Sequence, residues 1–94
     1  MINGFEWDAN KARINQQKHG VSFEEAVSVF RDEMGLLIAD NEHSYVEERF
    51  VLMGMSDTLR VLVVVHCQRL ANIRIISARR ATAREQQQYE RQFL

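Results

Sequence analysis

Apolar and polar residues alternate along several stretches of this chain, which is the pattern of β-strands. Successive side chains of a strand point to opposite faces, so a period of two in hydrophobicity predicts extended backbone, and Val and Ile favour it further. Short connections between neighbouring stretches predict antiparallel hairpins, because a parallel pair needs a longer crossover. The predicted strands are Leu36 to Ala39, Glu48 to Met55, Arg60 to Gln68 and Ile73 to Arg79, with a polar loop around Asn41 to Val46 and turns at Ser56 to Leu59 and Leu70 to Asn72.

Capping residues mark the ends of three predicted helices. Asp8 has the side chain of an N-cap, and a helix that starts there should end near His19, with Gly20 as its C-terminal stop. Ser or Thr followed three residues later by Glu forms a capping box, in which each side chain accepts a hydrogen bond from the backbone N–H group of the other residue. This spacing predicts a second helix at Ser22–Glu25 and a third at Thr82–Glu85, the third reaching about Gln92.

Helices before and after a run of antiparallel strands predict a single α+β domain over residues 1–94. Phe5 to Trp7 is expected to form either a short edge strand or an aromatic anchor. The central strand, Arg60 to Gln68, is apolar on both faces near its middle, which predicts that both of its sides are covered. The side chains expected to be nearly inaccessible are Val63, Val65 and Ile75.

Composition favours a cytoplasmic location. The hydrophobic content of 46% is ordinary for a soluble globular protein. The longest apolar run, Val61 to Val65, is too short to cross a bilayer, and no N-terminal segment has the pattern of an export signal, so we expect no membrane association. The single cysteine, Cys67, cannot form an internal disulfide and is interpreted as a small buried hydrophobe.

Charge is distributed unevenly along the chain, although the net charge is only −1. Residues 1–48 contain four basic and ten acidic residues, whereas residues 49–94 contain eight basic and three acidic residues. All eight basic residues of the second half are arginines, whose planar guanidinium groups can bind two oxygens at once. The second half is therefore suited to binding phosphate groups.

The stretch IRIISARRATAREQQQYE, from Ile73 to Glu90, brings two of these arginines to the start of a helix. The predicted strand runs into Arg79 and Arg80, and the helix capped by Thr82 follows. Guanidinium groups beside the N–H groups and the positive end of a helix favour a bound phosphate. A solvated junction with surface arginines is the alternative interpretation. Neighbouring strand residues point to opposite faces, so the two arginines should diverge if the strand continues through both.

Few other residues are candidates for chemistry. No metal site is expected, since the three histidines lack ligand spacing with each other or with cysteine, and no glycine-rich phosphate loop is present. His19, which follows Lys18 at a helix end, can transfer protons near neutral pH, but both residues also fit a structural role as cations that complement the helix dipole. His66 and Tyr89 are interpreted mainly as core residues.

Several blocks of the sequence resemble the BrnT family of type II toxins. These blocks are FEWDANKARINQQKHGVSFEEAVSVFRD, EERF, LRVLVVVHCQR and IRIISARRATAREQQQYE, and the most specific parts are KHGVSFEEA and RIISARRAT. The resemblance extends from Phe5 to Glu90 and implies a RelE-like fold with two N-terminal helices, an antiparallel β-sheet and a C-terminal helix. One departure is Gln68, where many relatives are expected to have a glutamate. Any help that an acidic residue there gives to proton transfer is missing in this chain.

The same resemblance implies an activity and a partner. It implies an endoribonuclease that needs no metal or other cofactor, cuts RNA and inhibits translation and growth. The implied partner is a BrnA-type antitoxin, which neutralises the toxin and connects it indirectly with DNA.

Metal-free cleavage uses the 2′-OH of the RNA as nucleophile, so the protein must align the backbone, stabilise the charge of the phosphorane and move two protons. Arginines suit the first two tasks, and His19 or Tyr89 would have to serve the third. The expected catalytic residues are Arg49, Arg79, Arg80 and His19. The expected substrate-binding residues are Lys18, Arg60, Arg69 and Tyr89. The alternative is a non-catalytic module whose arginine-rich face binds RNA or a partner protein.

Overall fold

A computed structural model describes residues 2–39 and 48–94 of the chain. These residues form an α+β structure with a five-stranded mixed sheet, and the predicted polar loop around Asn41 to Val46 lies outside them. The strands are β1 (Phe5–Glu6), β2 (Leu36–Ala39), β3 (Arg49–Met55), β4 (Val61–Arg69) and β5 (Asn72–Arg80). The helices are α1 (Ala9–His19), α2 (Phe23–Ser28) and α3 (Ala83–Glu90), with short 3-10 helices at Val29–Arg31 and Arg91–Phe93.

The strand order across the sheet is β1-β5-β4-β3-β2. The predicted hairpins are confirmed, because β2, β3, β4 and β5 pair antiparallel in sequence order. The prediction of a wholly antiparallel sheet is wrong, since β1 pairs parallel with β5. This pairing joins strands that are far apart in the chain, so the intervening elements provide the crossover that a parallel pair requires. The alternative of a short edge strand at Phe5 is confirmed.

The two faces of the sheet carry cores of different size. One face is covered by α2 and the end of α1, and the other is partly covered by α3. The buried residues of the first face, here called the large core, are Val21, Phe23, Ala26, Val27, Val29, Leu52, Leu62, Val64, Ile75 and Ala78. Those of the second face, the small core, are Met53, Val61, Val63 and Tyr89.

The central strand is covered on both sides only over part of its length. The predictions for Val63 and Ile75 are confirmed, as these side chains are 5% and 2% exposed. The prediction for Val65 is wrong, because this residue is only half-buried. The reason is that Tyr89 of α3 packs over the small core around Val63, and Val65 lies beyond this cluster on the same face.

A buried asparagine completes the outer edge of β5. Strand β1 pairs only with Ile73 and Arg74, so it leaves the rest of this edge without a partner strand. Asn15 of α1 donates from Nδ2 to the carbonyl of Ala78 at 2.8 Å, and its Oδ1 accepts from the Ala78 N–H group at 3.1 Å. The same amide donates to the carbonyl of Val21 at 3.0 Å. Asn15 thus satisfies backbone groups that a neighbouring strand would otherwise bind.

The predicted helix ends are confirmed with two corrections. Asp8 accepts from the Lys11 N–H group, and Gly20 ends α1 with a φ of 68°. The capping box of Thr82 and Glu85 forms in both directions, but α3 ends at Glu90 and continues as a 3-10 helix. Ser22 caps α2 in one direction only, because the Glu25 carboxylate turns towards other partners. None of the helices in residues 2–39 and 48–94 is both long and apolar enough to cross a membrane.

Candidate functional site

The candidate arginines on the strands, Arg49, Arg69, Arg79 and Arg80, lie at two ends of the sheet. Arg49 is paired with Cys67 on β4, whereas Arg79 is paired with Val63 on β4. The two positions on β4 are four residues apart, which is ~13 Å along a strand, and Arg49 and Arg79 lie two strands apart, which adds ~10 Å across the sheet. The structure therefore does not bring Arg49 next to Arg79 and Arg80. Arg69 lies at the same end as Arg49, at the C-terminal end of β4.

Arg79 and Arg80 point to opposite faces, as the strand period predicted, because β5 continues through both residues. Arg79 lies on the face of the small core and forms a two-pronged ion pair with Glu85, with distances of 2.8 Å from Nη1 to Oε1 and 2.9 Å from Nη2 to Oε2. This pair raises the pKa of Arg79 and lowers the pKa of Glu85 to about 2.

The Glu85 carboxylate occupies the position in which the sequence predicted a phosphate. Besides binding Arg79, its Oε1 accepts from the Thr82 N–H group at 2.9 Å. An anion thus already lies between a guanidinium group and the first N–H groups of α3, where anions are favoured. In this state Arg79 fixes the connection between β5 and α3.

Arg60 is also bound by a glutamate. Its Nε donates to Glu25 Oε2 at 3.0 Å, its Nη2 donates to Oε1 of the same carboxylate, and Nη2 also reaches the carbonyl of Gly20 at 3.2 Å. The carboxylate accepts in addition from Ser56 Oγ at 2.7 Å and from Thr58 Oγ1 at 2.6 Å. The hydrogen bonds from Arg60 are the largest cause that lowers the pKa of Glu25 to about 2. This network holds the turn between β3 and β4 against the start of α2.

Tyr89 is a buried support of α3, with 3% of its surface exposed. Its hydroxyl donates to Asp32 Oδ2 at 2.5 Å, and the same oxygen accepts from the Met55 N–H group at 2.7 Å. Burial, followed by the hydrogen bond to Asp32, raises the pKa of Tyr89 to about 12, so the phenol stays protonated at neutral pH. Gly54 permits the close approach, because a Cβ there would lie 3.1 Å from Asp32 Oδ2 and 3.0 Å from Val29 Cγ1.

An open cavity of about 280 Å³ lies where β4 begins and β5 ends, beside α3. Within the described part of the chain, Arg80 is exposed and makes no ion pair. Gln86 Nε2 donates to Glu90 Oε1 at 3.1 Å inside this cavity. The residues that line the cavity, here called the cleft, are Met55, Leu59, Arg60, Val61, Arg80, Ala81, Gln86 and Glu90.

The end of α1 lies close to the cleft. The Gly20 carbonyl that follows His19 accepts from Arg60, so Lys18 and His19 belong to the helix end that Arg60 contacts. His66, by contrast, is buried between aromatic rings, with centroid distances of 4.9 Å to Phe30 and 6.0 Å to Phe50. Burial lowers the pKa of His66, which keeps the ring neutral at physiological pH.

Several residues of this region carry roles that the sequence did not reveal. Glu25 and Arg60 are 35 residues apart, and no local pattern connects them. Gln86 and Glu90 could have been linked, because residues four apart lie on the same face of a helix. The sequence also gave no sign that Asp32 accepts hydrogen bonds from the Tyr89 hydroxyl and the Met55 N–H group. Among residues 2–39 and 48–94, no group of three or more His, Cys, Asp or Glu side chains is arranged to hold a metal ion.

Comparison with known families gives the site its context. The family model described as "Ribonuclease toxin, BrnT, of type II toxin-antitoxin system" matches residues 7–85, from the residue before the α1 N-cap to the first turn of α3. The chain belongs to the BrnT family. The resemblance of the sequence blocks is therefore confirmed, and membership of a type II system implies an antitoxin partner. No curated protein matches the chain.

Proposed function

We propose that this BrnT-family chain is a metal-independent endoribonuclease with a RelE-like arrangement of its elements, which cuts RNA in the cytoplasm and so inhibits translation and growth. The observation that carries the proposal is the match to a ribonuclease toxin family over residues 7–85, together with an exposed arginine, Arg80, that lines a cleft at the end of the sheet and has no ion pair with a described residue. A BrnA-type antitoxin is the proposed partner, and the toxin contacts DNA only through it.

Cleavage without a metal sets three requirements. The RNA supplies its own 2′-OH as nucleophile, and the bond from phosphorus to the 5′-oxygen breaks as the cyclic phosphate forms. The protein must hold the backbone in line, stabilise the added negative charge and transfer one proton from the 2′-OH and another to the leaving oxygen.

The residues of the cleft end can be assigned to these requirements. Arg80 binds the scissile phosphate, because it is exposed in the cleft and has no ion pair with a described residue. Arg60 lines the same cleft, with the Nε and Nη2 edge of its guanidinium group bound by Glu25. His19, with Lys18 beside it, is the proton-transfer group at the neighbouring end of α1.

The other expected site residues have different roles in this proposal. Arg79 is a positioning residue, since its pair with Glu85 fixes Arg80 and the start of α3. Tyr89 supports α3 from inside the small core. Arg49 and Arg69 lie at the opposite end of the sheet and contact the RNA backbone away from the bond that is cut.

The direct test measures RNA cutting by the purified chain in the presence of EDTA. We expect cutting by the wild type and a loss of ~100- to 1000-fold in rate for Arg80→Ala, the usual effect of removing a donor that stabilises transition-state charge. Arg80→Lys should recover little, because an ammonium group cannot bind two oxygens in a plane. The matched control is Arg13→Ala, on the exposed side of α1, which should cut at the wild-type rate.

Each variant must first show the wild-type melting temperature and circular dichroism spectrum. Wild-type cutting by a folded Arg80→Ala chain would place the site elsewhere, and a requirement for added Mg²⁺ would reject the metal-free mechanism. RNA binding without any cutting would identify the chain as a non-catalytic binding module.

The antitoxin is proposed to act by covering the cleft. Arg80 is the cation that the cleft offers to RNA, so an acidic antitoxin segment that binds it excludes the substrate. Arg80→Ala should then weaken the complex as well as the activity. A complex that suppresses cutting while Arg80 stays accessible to solvent would place inhibition at another surface.

A further inference from the structure

The cleft combines an apolar lining with a short row of polar groups on one helix. Met55, Leu59 and Val61 supply apolar surface, and Gln86 and Glu90 supply the hydrogen-bonding groups. Its volume of about 280 Å³ is close to the lower end of the range for small-molecule sites, ~300 Å³. A flat ligand with apolar faces and a polar edge fits such a lining, and an unstacked RNA base has both.

The polar groups of the cleft have a defined hydrogen-bonding capacity. Gln86 Nε2 donates to Glu90 Oε1 at 3.1 Å, which orients the carboxylate from the same helix face. Among the described residues, the second oxygen of Glu90 has no partner, and an ionised carboxylate can only accept. The cleft therefore presents an acceptor-only group to the edge of a base.

Only one RNA base offers a carboxylate two adjacent donors on its Watson–Crick edge. Guanine has N1–H beside the N2 amino group, and both can be donated to the two oxygens of one carboxylate. Adenine and cytosine have a single amino donor beside an acceptor nitrogen, and uracil has one N–H group between two carbonyls. In those bases an acceptor would face the negative charge of Glu90, which is unfavourable.

We propose that the cleft is a base-binding pocket that selects guanine, with Glu90 accepting from N1–H and N2–H and Arg80 holding the phosphate next to that base. This inference rests on the proposed function and adds a substrate preference to it. The pocket is preorganised, because the hydrogen bond from Tyr89 to Asp32 anchors the residue directly before Glu90, and the pair of Arg79 and Glu85 anchors the start of α3.

The sharpest test reverses the preference by one isosteric change. Glu90→Gln replaces one acceptor oxygen by an amide donor, and the glutamine amide then matches the donor and acceptor of adenine. Guanosine monophosphate and adenosine monophosphate are titrated into the wild type, Glu90→Gln and the control Glu33→Gln, with binding followed by NMR chemical shifts. Glu33 is an exposed carboxylate outside the cleft, so its variant should behave like the wild type.

We expect the wild type and Glu33→Gln to bind the guanosine nucleotide at least about fivefold more tightly, the lower end of what a good two-point contact to a base contributes. Glu90→Gln should bind the adenosine nucleotide more tightly instead. Equal binding of both nucleotides by the wild type, or an unchanged preference in a folded Glu90→Gln chain, would overturn the proposal.

Mapping of RNA ends separates this inference from the proposed function. In oligoribonucleotides that differ only in the bases flanking the cut, the wild type should cut beside guanine and Glu90→Gln beside adenine. Cutting without any preference for guanine would reject the pocket and leave the ribonuclease assignment intact. Selective nucleotide binding without cutting would keep the pocket and reject the ribonuclease.

Discussion

The two faces of the sheet share an arrangement of helix, glutamate and arginine but differ in how many residues they bury. Each carries a helix whose third residue is a glutamate that binds an arginine. Glu25 binds Arg60, directly before β4, on the face of the large core, and Glu85 binds Arg79, near the end of β5, on the face of the small core. Of the described residues, ten are buried in the large core and four in the small core. More apolar surface is therefore buried on the face of the large core. The cleft lies next to α3, which covers the face of the small core.

The ion pair on the face of the large core is also the more buried of the two. The side chains of Arg60 and Glu25 are 26% and 10% exposed, whereas those of Arg79 and Glu85 are 41% and 29% exposed. Glu25 also leaves its helix cap to bind two hydroxyl groups, while Glu85 stays in its capping box. The same sequence motif thus yields a more buried network on one face and a more exposed ion pair on the other.

The largest expected effect comes from the large core. Ile75→Ala removes a side chain that is 2% exposed, and we expect a loss of ~2–5 kcal/mol in the free energy of unfolding, from lost burial and the cavity left behind. Urea denaturation followed by circular dichroism measures this quantity. Ile76→Ala is the matched control on the same strand, since Ile76 is only half-buried and its truncation should cost clearly less. An equal loss in both variants would show that burial does not distinguish the two positions.

The two glutamates should differ in their contributions to stability. Glu25→Gln weakens charged hydrogen bonds to Arg60, Ser56 and Thr58 in a partly buried network, and we expect a cost of ~1.5–3 kcal/mol. Glu85→Gln weakens an exposed ion pair and should cost ~0.2–1 kcal/mol. The same urea measurements compare the two variants. A larger loss for Glu85→Gln would reverse the ranking of the two faces.

The smallest effect is the response to mild acid. Both glutamates have their pKa lowered from 4.5 to about 2 in the folded chain, so they bind protons more readily when unfolded. Their stabilisation is fully present above pH 4.5 and is lost progressively as the pH falls towards 2. Melting temperatures at pH 6, 4 and 3 should therefore fall less steeply for the Glu25→Gln/Glu85→Gln double variant than for the wild type. Parallel curves would assign the acid response to other carboxylates.

The fold could be predicted where the determining signals are local. Caps at Asp8 and Thr82 act within three residues, and the hairpins follow from short turns, so these elements were recognised. The parallel pairing of β1 with β5 joins Phe5 to Ile73, and no local pattern specifies it. The predicted burial of Val65 is wrong for a related reason. The strand pattern shows that a face is apolar, but it does not show how far α3 extends over that face.

For the site, the sequence identified residue types better than their surroundings. It identified an arginine-rich half and predicted that Arg79 and Arg80 diverge. It did not show that Arg60 and Arg79 are bound by glutamates, because those contacts depend on the folded arrangement. Arg49 was grouped with the other arginines although its position on β3 places it at the other end of the sheet.

The asparagine at the edge of β5 sets an order of events during synthesis. Asn15 and Ala78 are 63 residues apart, which at ~5–20 residues per second corresponds to an interval of ~3–13 s between their appearance. Until Ala78 has been synthesised, α1 has no edge of β5 to bind, and Arg80 and α3 have not yet been made. The contact between Asn15 and Ala78 can therefore form only late in synthesis, and the cleft is complete only after residue 90 has been translated. Nearly the whole chain must thus be synthesised before the cleft is complete.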